Sequence, residues 1–158
     1  MSSSQGRLQS VYRLMDSVCT PLAQLVARIV FGQAFLITGW GKLHNLDGVV
    51  KFFTDLGIPA ANVQAPFVAG VEFVGGIFLL LGLGTRISAL FLASTMVVAL
   101  LTAHRADFEP ALLFDKSFAD ITPLPFLAAL LWLMAKGGGT VSVDRLFASR
   151  SGGGSGGK

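Results

Sequence analysis

Long apolar runs separated by short polar connections dominate the chain. Four such runs lie at 22–41, 63–83, 87–103 and 121–135. About 20 apolar residues in a helix cross the ~30 Å hydrocarbon core of a bilayer. The fourth run is the shortest, since about 15 residues at 1.5 Å rise give only about 22 Å. The pattern predicts an all-α protein, a four-transmembrane-helix antiparallel bundle.

Two further stretches show apolar residues at helical spacing beside polar ones. Residues 1–20 carry such a stripe, which predicts a helix lying on the cytoplasmic membrane surface and a break at Pro21. Residues 42–62 carry another, which predicts a short surface helix that ends at Gly57 and Pro59. The first stripe consists of Leu8, Val11, Tyr12, Met15 and Val18.

These patterns divide the chain into three parts. Residues 1–20 form a cytoplasmic interfacial segment, residues 21–147 a transmembrane domain, and residues 148–158 a tail. The tail ends in SGGGSGGK, a composition typical of a flexible linker or a cloning remnant.

Composition points to lipid as the main surrounding. The chain is 53% hydrophobic and 13% charged, whereas soluble domains carry about 25% charged residues. The net charge of +3 comes from scattered basic residues, which excludes a nucleic-acid surface. The one cysteine, Cys19, can form no internal disulfide and no thiolate-held cluster. Redox chemistry would therefore need a cofactor or a partner.

The distribution of basic residues predicts the orientation in the membrane. The two termini and the turn between the second and third runs hold seven basic residues, against four on the other side. Basic residues prefer the cytoplasmic side. The expectation is a multi-pass protein of the inner (cytoplasmic) membrane with both termini in the cytoplasm.

Arg28 and Glu72 are the two charges inside the predicted spans. An unpaired charge there costs at least about 2.5 kcal/mol, so the two side chains are expected to pair. We interpret them first as a structural ion pair that fixes the register of the first two spans. The alternative is a role in proton relay or ligand anchoring, because ionisable residues inside membranes are often functional.

Small residues in the first two spans predict close helix packing. The residues concerned are Gly32, Gly39, Gly75, Gly76 and Gly82.

Four residues at the outer ends of the spans are candidates for ligand binding. Trp40 and Lys42 are candidates for the floor of an outer-facing pocket. His44 and His104 fall on the same predicted side, where two histidines can in principle hold haem or a metal. Histidines at a membrane boundary more often bind water, headgroups or carbonyls, so neither a haem nor a metal site is expected.

Several short motifs, in order, resemble the DoxX family of small four-helix membrane proteins over residues 22–147. They are Arg28 with Gly32-x-x-Phe35-x-x-x-Gly39-x-x-Lys42, Glu72-x-x-Gly75-Gly76, Gly82-x-x-Thr85-Arg86 and Gly139-x-x-Ser142-x-Asp144. The resemblance implies a helical membrane fold. The family's name derives from a subunit associated with a thiosulfate:quinone oxidoreductase, so a link to membrane redox systems is implied as well.

Three functions fit these observations. The first is a membrane subunit or scaffold of a redox-linked complex, docking other membrane or periplasmic subunits. The second is an oxidoreductase component that binds a quinone or another apolar ligand between helices, with Arg28, Lys42 and Glu72 as polar anchors. The third is a small transporter or lipid-handling protein. The sequence contains no nucleophile with a base and no phosphate loop, which leaves open whether the protein is an enzyme.

Overall fold

A computed structural model describes residues 2–113, 117–139 and 141–144. Across these ranges the protein is all-α, as the sequence predicts, and contains no strand. Its helices are α1 (Ser2–Leu43), α2 (Leu46–Asp55), α3 (Ala61–Leu81), α4 (Thr85–Leu101), α5 (Phe108–Leu112) and α6 (Pro123–Lys136). Single 3-10 turns at Arg105–Asp107 and Phe118–Asp120 flank α5.

Helix α1 runs without interruption through Pro21, so the predicted break at that residue is wrong. A proline removes one backbone hydrogen bond from a helix, and long apolar helices tolerate this loss. The apolar stripe predicted for residues 1–20 falls mainly on side chains outside the described residues, as does the predicted tail at 148–158. The interfacial position of residues 1–20 stays a prediction.

Two helices in the described ranges are long and apolar enough to cross a membrane by themselves. They are α3 and the segment Ser17–Leu43 of α1. Helix α4 has 17 residues, and it reaches the required length only together with Arg105–Leu112, which is bent from it by 69°. The 14 residues of α6 extend only about 21 Å. The protein therefore has two or three candidate spans by length, and the predicted four crossings remain a proposal.

Helices α1 and α3 cross antiparallel with their backbones in contact. A Cβ atom added at Gly39 would overlap the backbone nitrogen of Phe73 and lie 2.8 Å from its Cα. A Cβ at Gly76 would lie 2.6 Å from the backbone nitrogen of Leu36, and one at Gly32 would lie 3.1 Å from the carbonyl oxygen of Gly76. Only glycine permits this approach, so these residues set the register of the two helices.

The other two glycines of the predicted packing set meet side chains. A Cβ at Gly75 would lie 3.0 Å from Leu92 of α4, and one at Gly82 would overlap the guanidinium of Arg28.

The core lies where α1, α3, α4 and α6 meet. Its fully buried members include Phe35, Leu79, Leu92 and Leu133. Other large apolar side chains point outward and are more than half exposed, among them Val63, Phe67, Ile87, Leu90 and Phe91. An apolar exterior around an apolar core is the arrangement expected of helices surrounded by lipid.

Helix α2 packs across the beginning of α3. Phe53 and Ile58 form a second apolar cluster with Ala61 and Ala65. The sequence pattern of residues 42–62 correctly predicts this short helix, and the chain leaves it through Gly57, whose φ is +72°. This packing leaves a space between α2, α3 and α4, described next.

Candidate functional site

A partly buried ion pair joins the end of α1 to the middle of α3. Glu72 lies about 16 Å along the helix from Ala61 and about 14 Å from Leu81, and it is 2% exposed. Lys42 donates a hydrogen bond of 2.6 Å from Nζ to Oε1 of Glu72. Its side chain is 32% exposed, so its stem extends from the surface to a buried carboxylate. The second carboxylate oxygen, Oε2, is buried and has no hydrogen-bond partner among the described residues.

The predicted pairing of Arg28 with Glu72 is wrong. Because α1 and α3 are antiparallel, Arg28 lies beside the end of α3, where it donates hydrogen bonds of 2.9 Å to the carbonyl oxygens of Leu79 and Leu80. Glu72 instead lies beside Gly39, one helical turn before Lys42. The sequence reasoning considered Lys42 as a ligand anchor but missed it as the partner of Glu72.

Arg28 belongs to a structural contact that we call the C-terminal clasp, defined as residues 137–139 and 141–144. Its Nη1 donates to the carbonyl oxygen of Gly138 at 2.8 Å and to that of Val141. The guanidinium thus ties the end of α3 to the clasp. Charged donors on backbone carbonyls form stronger hydrogen bonds than neutral donors do.

Asp144 holds the clasp against the α3–α4 turn. Its carboxylate accepts hydrogen bonds from the backbone N–H groups of Gly84 at 2.6 Å and Thr85 at 3.0 Å, at the first turn of α4. Gly84 has a φ of +54°, a conformation that favours glycine. A carboxylate at a helix N-terminus satisfies free N–H groups and the helix dipole. The motif fragments around Gly82 and Asp144, far apart in sequence, therefore meet here for a structural reason.

A cavity of about 440 Å³ adjoins the Lys42–Glu72 pair. We call it the α2–α3–α4 cavity, and its size lies within the usual range for small-molecule sites, about 300–1,000 Å³. Both charged residues line it, and most of its remaining wall is apolar. The apolar wall includes Val49, Phe52, Phe67, Val68, Met96 and Val98.

The other candidate ligand-binding residues lie elsewhere. Trp40 is 54% exposed and stacks on His44, with 4.1 Å between ring centroids. His104 Nδ1 lies 2.8 Å from Oδ2 of Asp107. None of these residues lines the α2–α3–α4 cavity. The described part of the chain contains no group of three or more His, Cys, Asp or Glu residues that could hold a metal ion.

A second depression lies on the outside of α3 and α4. It measures about 540 Å³, and no charged side chain lines it. We call it the outer groove; Phe67, Val74, Phe78, Ile87 and Phe91 are among its lining residues. Its walls are mostly apolar, in contrast to the cavity with the ion pair.

Together, the apolar exterior and the antiparallel α1–α3 crossing define a helical membrane protein. A match to the DoxX family extends over residues 23–105, which include Arg28, Lys42, Glu72 and most of the cavity wall. The chain belongs to the DoxX family.

Three relatives illustrate the similarity. "Inner membrane protein YqjF" of Escherichia coli (strain K12) is 36% identical over 129 residues, covering 77% of this chain and 89% of that protein. "Inner membrane protein YphA" of the same organism is 29% identical over 126 residues, or 79% and 90% of the two chains. "Putative oxidoreductase CatD" of Bacillus subtilis (strain 168) is 29% identical over 114 residues, covering 68% of this chain and 84% of that protein. No solved structure matches the chain.

Proposed function

We propose that this protein is an inner-membrane component that binds a lipid-soluble redox carrier of the quinone class in the α2–α3–α4 cavity. The observation that carries the proposal is the Lys42–Glu72 pair, with its buried carboxylate, in a mostly apolar wall. Ligand sites commonly combine apolar walls with a few polar groups that orient the ligand. A quinone has a matching distribution, with an apolar ring and tail and two polar oxygens.

The energetics of the ion pair support a ligand-binding role. Burying charges inside a membrane protein is costly, and such residues often mark functional pathways or sites. Packing alone does not require this pair, because an apolar replacement of similar volume is often neutral or stabilising. The name of the Bacillus relative, which includes the word oxidoreductase, is consistent with a redox carrier as the ligand.

A bound carrier must exchange electrons with another group. The single cysteine of this chain cannot hold an iron–sulfur cluster, which needs several thiolates. We therefore propose that a second protein in a redox-linked complex supplies or accepts the electrons. The subunit hypothesis and the ligand hypothesis are then two aspects of one function.

The amount of quinone that co-purifies with the protein tests the ligand site. We expect about one quinone per protein from native membranes solubilised in mild detergent, and less than about a tenth of that amount from Glu72→Gln, because the orienting carboxylate is lost. Asp55→Asn is the matched control, since Asp55 is paired with Lys51 on the exposed face of α2. Equal quinone content in all three proteins, or none in the unaltered protein, would contradict the proposal.

A second variant tests the cavity by filling it, without removing a charge. Ala99→Phe extends a ring into the cavity from α4 and leaves the ion pair intact, so it should also exclude the carrier. Melting temperatures of both variants, measured by loss of monodisperse protein on heating, show whether the bundle persists.

We also propose that the bundle crosses the membrane four times with both termini in the cytoplasm. The support is the excess of basic residues on that side. Cys19 lies within the candidate span Ser17–Leu43, so the reporter thiol is placed before the span by Ser3→Cys in a Cys19→Ser background. A membrane-impermeant maleimide should label this protein in inverted membrane vesicles but not in intact spheroplasts, with Cys19→Ser alone as the unlabelled control. The opposite pattern would place the N-terminus outside.

A further inference from the structure

We infer that the α2–α3–α4 cavity distinguishes the two redox states of its ligand and binds the reduced hydroquinone more tightly than the oxidised quinone. This inference rests on the proposed function. It comes from four acceptors in the cavity wall, Glu72, Ser94, Thr95 and Thr102. The wall also holds the amides of Asn45 and Gln64, which both donate and accept, and Lys42, which donates.

The three hydroxyl groups of the cavity wall that belong to α4 or its C-terminal end donate their protons to backbone carbonyl oxygens. Ser94 donates to the carbonyl oxygen of Phe91 at 2.6 Å, Thr95 to that of Leu92 at 2.8 Å, and Thr102 to that of Val98 at 2.7 Å. All three residues line the cavity. A hydroxyl has one proton and two lone pairs, so these groups can offer a ligand only lone pairs.

Glu72 adds a stronger acceptor. Its Oε1 receives the hydrogen bond from Lys42, while Oε2 is buried without a hydrogen-bond partner among the described residues. An ionised carboxylate only accepts hydrogen bonds, and a buried acceptor without a donor is unfavourable. Glu72 lines the cavity, so a bound ligand with an O–H group can supply the donor that Oε2 lacks.

The two forms of the carrier differ in whether they can supply that donor. A hydroquinone has two O–H groups and can donate to Glu72, whereas a quinone has two carbonyl oxygens that only accept. Lys42 keeps two further N–H groups beside the one on Glu72, so a quinone can still bind through an oxygen. Only the reduced form also donates a hydrogen bond to the carboxylate. Both forms are therefore expected to bind, the reduced form with the higher affinity.

The test compares the affinities of decylubiquinol and decylubiquinone for the protein in lipid nanodiscs, under anaerobic conditions and with empty nanodiscs as the blank. We expect the dissociation constant of the quinol to be about tenfold lower than that of the quinone. The quinol can donate a hydrogen bond to the charged carboxylate of Glu72, and the quinone cannot. For a two-electron couple, a tenfold ratio corresponds to a midpoint potential raised by about 30 mV on binding. A potentiometric titration of the bound couple provides this second readout.

Variants assign the preference to Glu72. Glu72→Gln removes the charged acceptor, so both forms should bind more weakly, the hydroquinone should lose more affinity than the quinone, and the affinity ratio should fall to about one. Thr95→Val removes one lone-pair site at nearly constant shape and should lower the ratio less, by about threefold. Asp55→Asn, outside the cavity, should leave the ratio unchanged.

Each outcome decides between the inference and the proposed function. Equal affinities for both forms in the unaltered protein would overturn the selectivity and leave the quinone site in place. Failure of both forms to bind would overturn both. An unchanged tenfold ratio in Glu72→Gln would show that the preference does not come from this carboxylate, and would overturn the inference.

Discussion

Replacing Gly39 by alanine is expected to be among the most damaging single changes in the protein. The new methyl group would overlap the backbone nitrogen of Phe73 and lie 2.8 Å from its Cα. Backbone atoms cannot rotate away as a side chain can, so α1 and α3 must separate. Overpacking typically costs about 1–3 kcal/mol, and separation would also disturb the Lys42–Glu72 contact. The midpoint of unfolding in a denaturing-detergent titration measures this loss.

Gly41 provides a matched control on the same helix. A Cβ atom at Gly41 meets nothing within 4 Å, so Gly41→Ala should leave the unfolding midpoint unchanged or raise it slightly, because alanine favours a helix over glycine by about 1 kcal/mol. Equal effects of the two substitutions would mean that α1 and α3 do not make this close backbone contact.

Arg28→Met should produce the other large effect. The methionine keeps much of the side-chain volume but donates no hydrogen bond, which leaves the carbonyl oxygens of Leu79 and Gly138 without their charged donor. Hydrogen bonds to charged groups contribute about 1.5–3 kcal/mol each, and Arg28 makes several. We expect a loss of at least about 3 kcal/mol in the free energy of unfolding. The same denaturing-detergent titration measures it.

Arg86→Met is the matched control for the loss of an arginine. Arg86 is on the exposed side of α4, and among the described residues it donates a single long hydrogen bond, 3.4 Å, to the carbonyl oxygen of Ala135. Its replacement should change stability by less than about 1 kcal/mol. If Arg28→Met were equally mild, the C-terminal clasp would not depend on the guanidinium.

The apolar runs predicted the helices well because hydropathy and helical length are local properties. The second and third runs, at 63–83 and 87–103, are shifted by about two residues from α3 and α4. Helix ends depend on turn geometry as well as on hydropathy. Gly82 and Gly84 both have positive φ values, and Asp144 caps the first turn of α4 from a distant part of the chain. That cap cannot be inferred from local sequence.

The partners of the buried charges could not be predicted from their positions along the chain. Arg28 and Glu72 were expected to pair because they are the two charges inside the predicted spans, but the register of α1 against α3 depends on where the glycine surfaces touch. With that register, Glu72 faces the end of α1, and the long stem of Lys42 reaches it. Arg28 is satisfied instead by the clasp, more than 100 residues later in the chain.

The candidate ligand site also could not be predicted from the sequence. The sequence offered no reactive groups, which favoured a scaffold over a ligand-binding component. The space between α2, α3 and α4 arises from the way α2 crosses the beginning of α3, a tertiary feature with no signature in hydropathy. The position of this cavity beside the Lys42–Glu72 pair is the reason that we propose ligand binding in addition to a scaffold role.

Photolabelling with an azido derivative of a short-chain quinone tests the location of the ligand most directly. We expect peptides carrying Phe52, Val68 or Val98 to take up the label, and excess decylubiquinol to suppress the labelling. We also expect little label in Glu72→Gln and full label in Asp55→Asn. Label confined to Ile87 and Phe91 of the outer groove, with no dependence on Glu72, would show that the α2–α3–α4 cavity is not the quinone site.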